Sequence, residues 1–156
     1  MALAVLYKKG YDLMAEYVTT ATQTVALDQN VLFTTSANCN RNCSIVHRDG
    51  SGIVTLKGSK EPCNPAKYLV TFGGNIAIAD GGTVEPISIA IALQGEPIYS
   101  STATVTPVAT GDFFNVSTSA LIAVPFGCCD TVSVENVSTT TAIDVANANL
   151  TVSRLG

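Results

Sequence analysis

The sequence predicts an all-β fold, a single β-sandwich of about eight to ten antiparallel strands with a short N-terminal helix or arm. Three observations carry this. In residues 84–107, VEPISIAIALQGEPIYSSTATVTP, Ile87, Ile89, Ile91 and Leu93 recur at every second position with Ser88, Ala90 and Ala92 between them. That period of two places alternate side chains on opposite faces of a strand. After the break at Gln94, Gly95, Glu96 and Pro97, the β-branched Thr102, Thr104, Val105 and Thr106 resume the pattern, so the stretch reads as a hairpin of two long strands. The rest of the chain repeats this alternation between Gly- and Asp-bearing turns, with little catalytic chemistry.

The first eighteen residues differ from the remainder of the chain. Leu3, Leu6, Tyr7, Leu13, Met14, Tyr17 and Val18 fall near helical spacing, with Lys8, Lys9, Asp12 and Glu16 between them. Residues 1–20 are therefore expected to form a short helix or adaptable arm. The candidate contacts to a larger particle are Leu3, Leu6, Tyr7, Leu13, Met14 and Tyr17. An isolated segment of this length is marginal in water, so it must dock somewhere: on its own domain, on a sister subunit or on a particle.

The β-domain is expected over residues 21–156. Residues 22–35 read as a strand with a turn or bulge at Asp28, Gln29 and Asn30. Residues 38–42 read as a polar loop, and residues 44–48 and 52–56 as two short strands about Asp49-Gly50, a favoured hairpin turn. Residues 57–66, rich in Gly, Ser, Pro and charge, are a loop. Residues 67–79 form a long strand in which Gly73-Gly74 marks a bend or a close backbone approach. Residues 112–124 alternate Phe114, Val116, Thr118, Ala120 and Ile122 against Phe113, Asn115, Ser117, Ser119 and Leu121. A turn over residues 125–130 holds Cys128 and Cys129. The last strands, residues 131–136 and 141–154, offer Val132, Val134, Ile143, Val145, Leu150 and Val152 to the core.

Composition narrows the function. The chain has 156 residues, suited to one domain. Charged residues make up 13%, against a usual level of about 25%. Hydrophobic residues reach 47% and the mean hydropathy is +0.34. So much uncharged material in a small domain points to surface covered by other subunits. A net charge of −4, with Lys8-Lys9 as the adjacent basic pair, disfavours nucleic acid, which needs clustered cations. No stretch reaches the roughly 18 apolar residues that span a bilayer. The start, MALAVLYKKG, places its lysines after the apolar residues, so neither membrane insertion nor export by the general secretory route is expected.

Several of these strands resemble a known family. Val31-Leu32-Phe33, Gly52-Ile53-Val54-Thr55-Leu56, Tyr68-Leu69-Val70-Thr71-Phe72 and Ile89-Ala90-Ile91-Ala92-Leu93-Gln94-Gly95 are similar to strands of the tumour-necrosis-factor-like jelly roll. Thr131-Val132-Ser133-Val134-Glu135-Asn136 and Ala148-Asn149-Leu150-Thr151-Val152 resemble the strands that close it. That trimeric superfamily includes the globular heads of complement collagenous proteins and collagen-like glycoproteins of spore coats. The resemblance covers roughly residues 24–155 and implies a jelly roll, a homotrimer with strands buried along the threefold axis, and no shared ligand. Tyr68, Phe72, Phe113, Phe114 and Phe126 are the candidates for the trimer interface, although periodicity does not separate that place from the protomer core. No Gly-X-Y stalk precedes the domain, and the arm stands in its place. In this the chain is similar to the decoration and head-fibre proteins of tailed bacteriophages.

The residues that carry chemistry favour structure over catalysis. Cys39, Cys43, Cys63, Cys128 and Cys129 fall in turns or loops, and three could meet at one end of the sandwich. Their spacing matches no zinc ribbon or finger. Disulfides are preferred, first from Cys39 or Cys43 to Cys63 and then between Cys128 and Cys129, and the odd count leaves a thiol free or paired between subunits. His47, the only histidine, lacks a Gly-x-Ser-x-Gly elbow and reads as an ordinary partly buried residue. The aspartates sit mostly at turns, where they suit Asx-turns better than calcium. Asn-x-Ser/Thr triplets at Asn42, Asn115, Asn136 and Asn149 arise naturally in a chain rich in those residues.

No enzyme, cofactor or metal is expected. The reading is a homotrimeric structural protein on a virion surface, attached through its arm to a capsid or other particle protein. Alternatives are a spore- or cell-surface adhesion head, or a carbohydrate-binding module for host glycans. The last is weakened by the absence of Trp and the scatter of the tyrosines.

Overall fold

A computed structural model describes residues 13–38 and 44–155. Among them run twelve strands: β1 (Met14–Thr19), β2 (Gln23–Val25), β3 (Thr35–Asn38), β4 (Ile45–His47), β5 (Val54–Lys57), β6 (Ala66–Ile78), β7 (Ile87–Leu93), β8 (Glu96–Pro97), β9 (Ala103–Val105), β10 (Phe114–Val124), β11 (Cys129–Asn136) and β12 (Ile143–Arg154). They pair antiparallel into two six-stranded sheets. The first has the order β10-β6-β12-β1-β3, with β2 also on β12; the second has the order β4-β5-β11-β7-β8, with β9 also on β7.

The alternation read in the sequence decides which face of each strand is inside. On β6 the inward set is Ala66, Tyr68, Val70, Phe72, Ile76 and Ile78; on β12 it includes Ile143, Val145, Leu150 and Val152. The facing sheet contributes Leu56, Ile87, Ile89, Ile91, Val132 and Val134. Each fully buried side chain of this size stabilises by about 1.5–3 kcal/mol, so the two apolar faces hold the sheets together. Tyr68 and Phe72 have 0% exposure. They belong to the protomer core, which removes them from the trimer interface. The reason is parity: they share a face of β6 with Val70 and Ile76.

The N-terminal expectation changes as well. Residues 14–19 are a strand between β12 and β3, pairing Met14 with Ser153 and Thr19 with Ala148. Apolar residues at 13, 14, 17 and 18 satisfy a helical spacing, but burial alternates along the segment, with Ala15, Tyr17 and Thr19 inside. The hydrogen bonds offered by two neighbouring strands outweigh a helix that could not stand alone. Leu13, Met14 and Tyr17 are thus part of the sandwich rather than of an arm, and Leu3, Leu6 and Tyr7 lie outside the described residues.

The hairpin after β7 is also modified. Gln94 and Gly95, with φ of 53° and 80°, make the tight turn, and Leu93 pairs with Glu96. The returning chain then leaves the ladder in a 3-10 turn, Tyr99–Ser101, before β9 rejoins β7 at Ile89. Ser101 explains the break. Its Oγ accepts from the Ile91 N–H at 2.9 Å in place of a ladder carbonyl, because the Ile98 carbonyl turns to accept from the Ser101 N–H and hydroxyl. The Gly73-Gly74 expectation resolves as a close approach. β12 shifts register between Ala146 and Asn149, and a Cβ on Gly73 would stand 2.8 Å from Asn149 Oδ1.

Among the described residues, two crossovers join the sheets at one end. Residues 58–65 pass from β5 to β6, and residues 125–128 from β10 to β11. The Gly58 N–H donates to the Cys128 carbonyl at 2.8 Å, and a Cβ on Gly58 would collide with the Pro125 carbonyl. Both described chain ends lie here too, since the Arg154 N–H donates to the Leu13 carbonyl and the Leu155 N–H to the Lys67 carbonyl. At the opposite end Asn136, 0% exposed, donates from Nδ2 to the carbonyls of Val25 and Thr141 at 3.0 and 3.1 Å and accepts from the Ser138 N–H. Its Asn-x-Ser triplet is therefore structural. Asn136→Ala should strand three buried backbone groups and cost about 2–3 kcal/mol. The check is a lowered urea midpoint at unchanged slope.

Candidate assembly face

The outward side of the first sheet is a broad surface almost without charge. On its three edge-to-centre strands the outward residues are Asn115, Ser117, Ser119, Leu121 and Ala123 of β10, Leu69, Thr71, Gly73 and Asn75 of β6, and Ala146, Asn149, Thr151 and Ser153 of β12. Lys67 and Asp144 stand at the two ends of this field, and Asp144 Oδ1 accepts from Thr24 Oγ1 at 2.6 Å. Register sets the rows. Leu121 faces Leu69, Leu69 faces Ser153, and Ser153 faces Met14, so a row of three apolar side chains and one hydroxyl crosses the sheet near the described chain ends. Leu121 is 73% exposed.

Strand β10 bounds this face. Its eleven residues, FNVSTSALIAV, contain no charge and no proline, and it pairs in a ladder with β6 on one side. Thr118, on the same side of β10 as Val116 and Ile122, donates from Oγ1 to the Ser101 carbonyl of the 3-10 turn. Such a long, uncharged edge strand is the kind that soluble monomers blunt with lysine, proline or a bulge.

The candidate aromatics divide by place. Phe113 and Phe114 are exposed at the start of β10, at the end of the sandwich that also exposes Val84 and Val108. Phe126 is exposed on the 125–128 crossover at the other end. Cys63, Cys128 and Cys129 are exposed and free, so the vicinal Cys128–Cys129 bond is not formed. Adjacent residues entering a strand point to opposite faces, which sets the two sulfurs apart. Cys39 and Cys43 lie outside the described residues. No group of three or more His, Cys, Asp or Glu side chains that could hold a metal occurs among the described residues.

His47 sits inside, its side chain fully covered, with the Tyr17 ring centroid 4.3 Å away and Phe33 at 6.4 Å. Its Nε2 donates to the Ser51 carbonyl at 2.9 Å. Nδ1 has no hydrogen-bond partner and lies 3.8 Å from Asp49 Oδ1. The Ser36 hydroxyl donates to that same carboxylate at 2.7 Å rather than to the imidazole, so His47 takes no proton from it. The arrangement packs the β3–β4 side of the sandwich and lacks the connectivity of a nucleophilic triad.

The topology of the sandwich can be set against solved structures. No family model matches the chain, and no curated protein matches it. The globular domain of a zebrafish complement 1qA protein matches with a TM-score of 0.56 at 14% identity, over 89% of this chain and 94% of that one. The Eiger tumour necrosis factor of S. frugiperda matches with a TM-score of 0.61 at 12% identity, over 92% of each. Murine APRIL at pH 8.5 matches with a TM-score of 0.56 at 11% identity, over 90% and 97%. The chain has their jelly-roll fold. The likeness is one of fold, and it bears out the jelly roll that the strand motifs resemble.

One acidic group titrates with the fold. Glu135, on the outward side of β11 opposite Ala90, is 7% exposed. Burial raises its pKa above the usual glutamate value, and the charges of Asp28 and Glu96 raise it further. A raised carboxyl pKa means the protonated form is favoured by folding, so stability is lost as pH climbs through the folded value. Glu135→Gln should therefore raise the melting temperature at pH 7. The gain should shrink toward zero at pH 3, where the wild-type carboxyl is protonated in both states; parallel thermal melts read the difference.

Proposed function

We propose that the chain is a non-enzymatic structural protein that assembles as a homotrimer through the outward face of its first sheet and the β10 edge, and that the trimer decorates the surface of a virion. The observation that carries the assembly is the uncharged β10 edge with its 73% exposed Leu121, continuous with the Ser/Thr/Asn/Gly face beside it. Small polar side chains let a second sheet or edge approach closely, and the missing charges remove the desolvation cost that would oppose it. The jelly-roll resemblance favours three copies about one axis. Decoration is favoured by the placement of both described chain ends, Leu13 and Leu155, at one end of the sandwich. A particle held there leaves the end with Val84, Val108, Phe113 and Phe114 facing outward.

Light scattering of the full chain should give three times 16.1 kDa, and Leu121→Glu should bring the mass down to 16.1 kDa with the circular-dichroism spectrum of a folded sheet. A folded wild-type monomer would remove the assembly. A chain lacking residues 1–12 should remain trimeric and lose co-sedimentation with the particle. Retained co-sedimentation would place the attachment elsewhere.

A further inference from the structure

The thiols at the crossover end are not used by the fold. Cys63 and Cys128 are both exposed and unbonded within the protomer. They stand on the two crossovers at the same end of the sandwich, where the Gly58 N–H of the 58–65 crossover donates to the Cys128 carbonyl of the 125–128 crossover. Cys63 precedes Ala66 by three residues, Cys128 comes four residues after Val124, and Ala66 and Val124 are register partners at the paired ends of β6 and β10. That is the end of the assembly face where Leu121, Leu69 and Phe126 lie. Cys129 differs. It has already entered β11, paired with Lys57, on the outward side of the other sheet.

We propose that Cys63 and Cys128 form a covalent cross-link between copies of this chain, Cys63 of one protomer bonded to Cys128 of the next. This rests on the trimeric reading. Symmetry favours the unlike pair: joining like cysteines around a threefold axis leaves one thiol of three over, whereas Cys63 to Cys128 closes the ring with three equivalent bonds. The oxidant is a small-molecule disulfide such as oxidised glutathione. The Cys128 thiolate attacks one of its sulfurs and expels a glutathione thiolate. The neighbouring Cys63 thiolate then attacks the Cys128 sulfur of the mixed disulfide and expels the second. Two protein thiols are oxidised, one glutathione disulfide is reduced, and the two thiol protons pass to the departing glutathione thiolates.

The test takes the full chain carrying Cys39→Ser and Cys43→Ser, incubates it with oxidised glutathione, and reads non-reducing denaturing electrophoresis and intact mass. The expected product is a covalent trimer that dithiothreitol reverses. Cys129→Ser should retain it, and Cys63→Ser or Cys128→Ser alone should abolish it. If the double variant does not fold, peptide mapping of the oxidised unsubstituted chain should recover the Cys63–Cys128 linkage between copies. A product of monomer mass, two hydrogens lighter or carrying glutathione, overturns the cross-link. Light scattering under reducing conditions separates the two failures: a non-covalent trimer with monomeric oxidised product sinks the cross-link alone, and a reduced monomer sinks the assembly with it.

Discussion

The ladder that β6 makes with β10 on one side and β12 on the other orders the rest of the molecule. Its thirteen residues carry one side of the core from Ala66 to Ile78, and its register with both neighbours aligns Leu121, Leu69 and Ser153 in one row and Ser119, Thr71 and Thr151 in the next. A slip of one residue would turn Tyr68, Phe72 and Ile76 outward and bring Thr71 and Asn75 into the core, so register is held by the cost of burying unpaired polar groups. The two crossovers then have little freedom, because the ends of β6 and β10 are fixed opposite each other and Gly58 must pass against Pro125.

This arrangement gives a molecule with two unlike ends and two unlike faces. One end gathers the described chain ends, the 58–65 and 125–128 crossovers and three free thiols; the other gathers Asn136 and the loops with Val84, Val108, Phe113 and Phe114. The outward side of the second sheet is covered by its own chain at Ala90, Ala92, Ser133 and Glu135. The outward side of the first sheet is wide and almost uncharged.

Much of the fold was legible because period-two burial is written directly into the order of residues. Val132, Val134, Ile143, Val145, Leu150 and Val152 are all inside, as their alternation requires. The β4–β5 hairpin at Asp49-Gly50 and the 58–65 loop fall where their turn residues place them. Structure departs from expectation where two periods fit the same residues or where a distant partner decides. The segment at 14–19 meets a helical spacing and an alternating one equally, and the neighbours β12 and β3 settle it. The 3-10 turn at Tyr99–Ser101 depends on a hydrogen bond from Ile91, ten residues away, that no local pattern announces.

For the assembly face the division is similar. The low charge and the Ser/Thr-rich alternation of β10 are visible in the sequence, since side-chain parity is a local property. Which of the aromatic residues stay outside was not visible. Tyr68 and Phe72 fall in the core because they share the inward face of β6 with Val70 and Ile76, while Phe113, Phe114 and Phe126 fall at the ends of the sandwich. The sequence by itself determined the strand content, the inward set of each long strand and the scarcity of charge, all properties of residues near one another along the chain. Only the tertiary structure decided which strands are neighbours, which edge is left without a ladder partner among the described residues and which of the described cysteines share an end, because those depend on contacts between residues far apart in sequence.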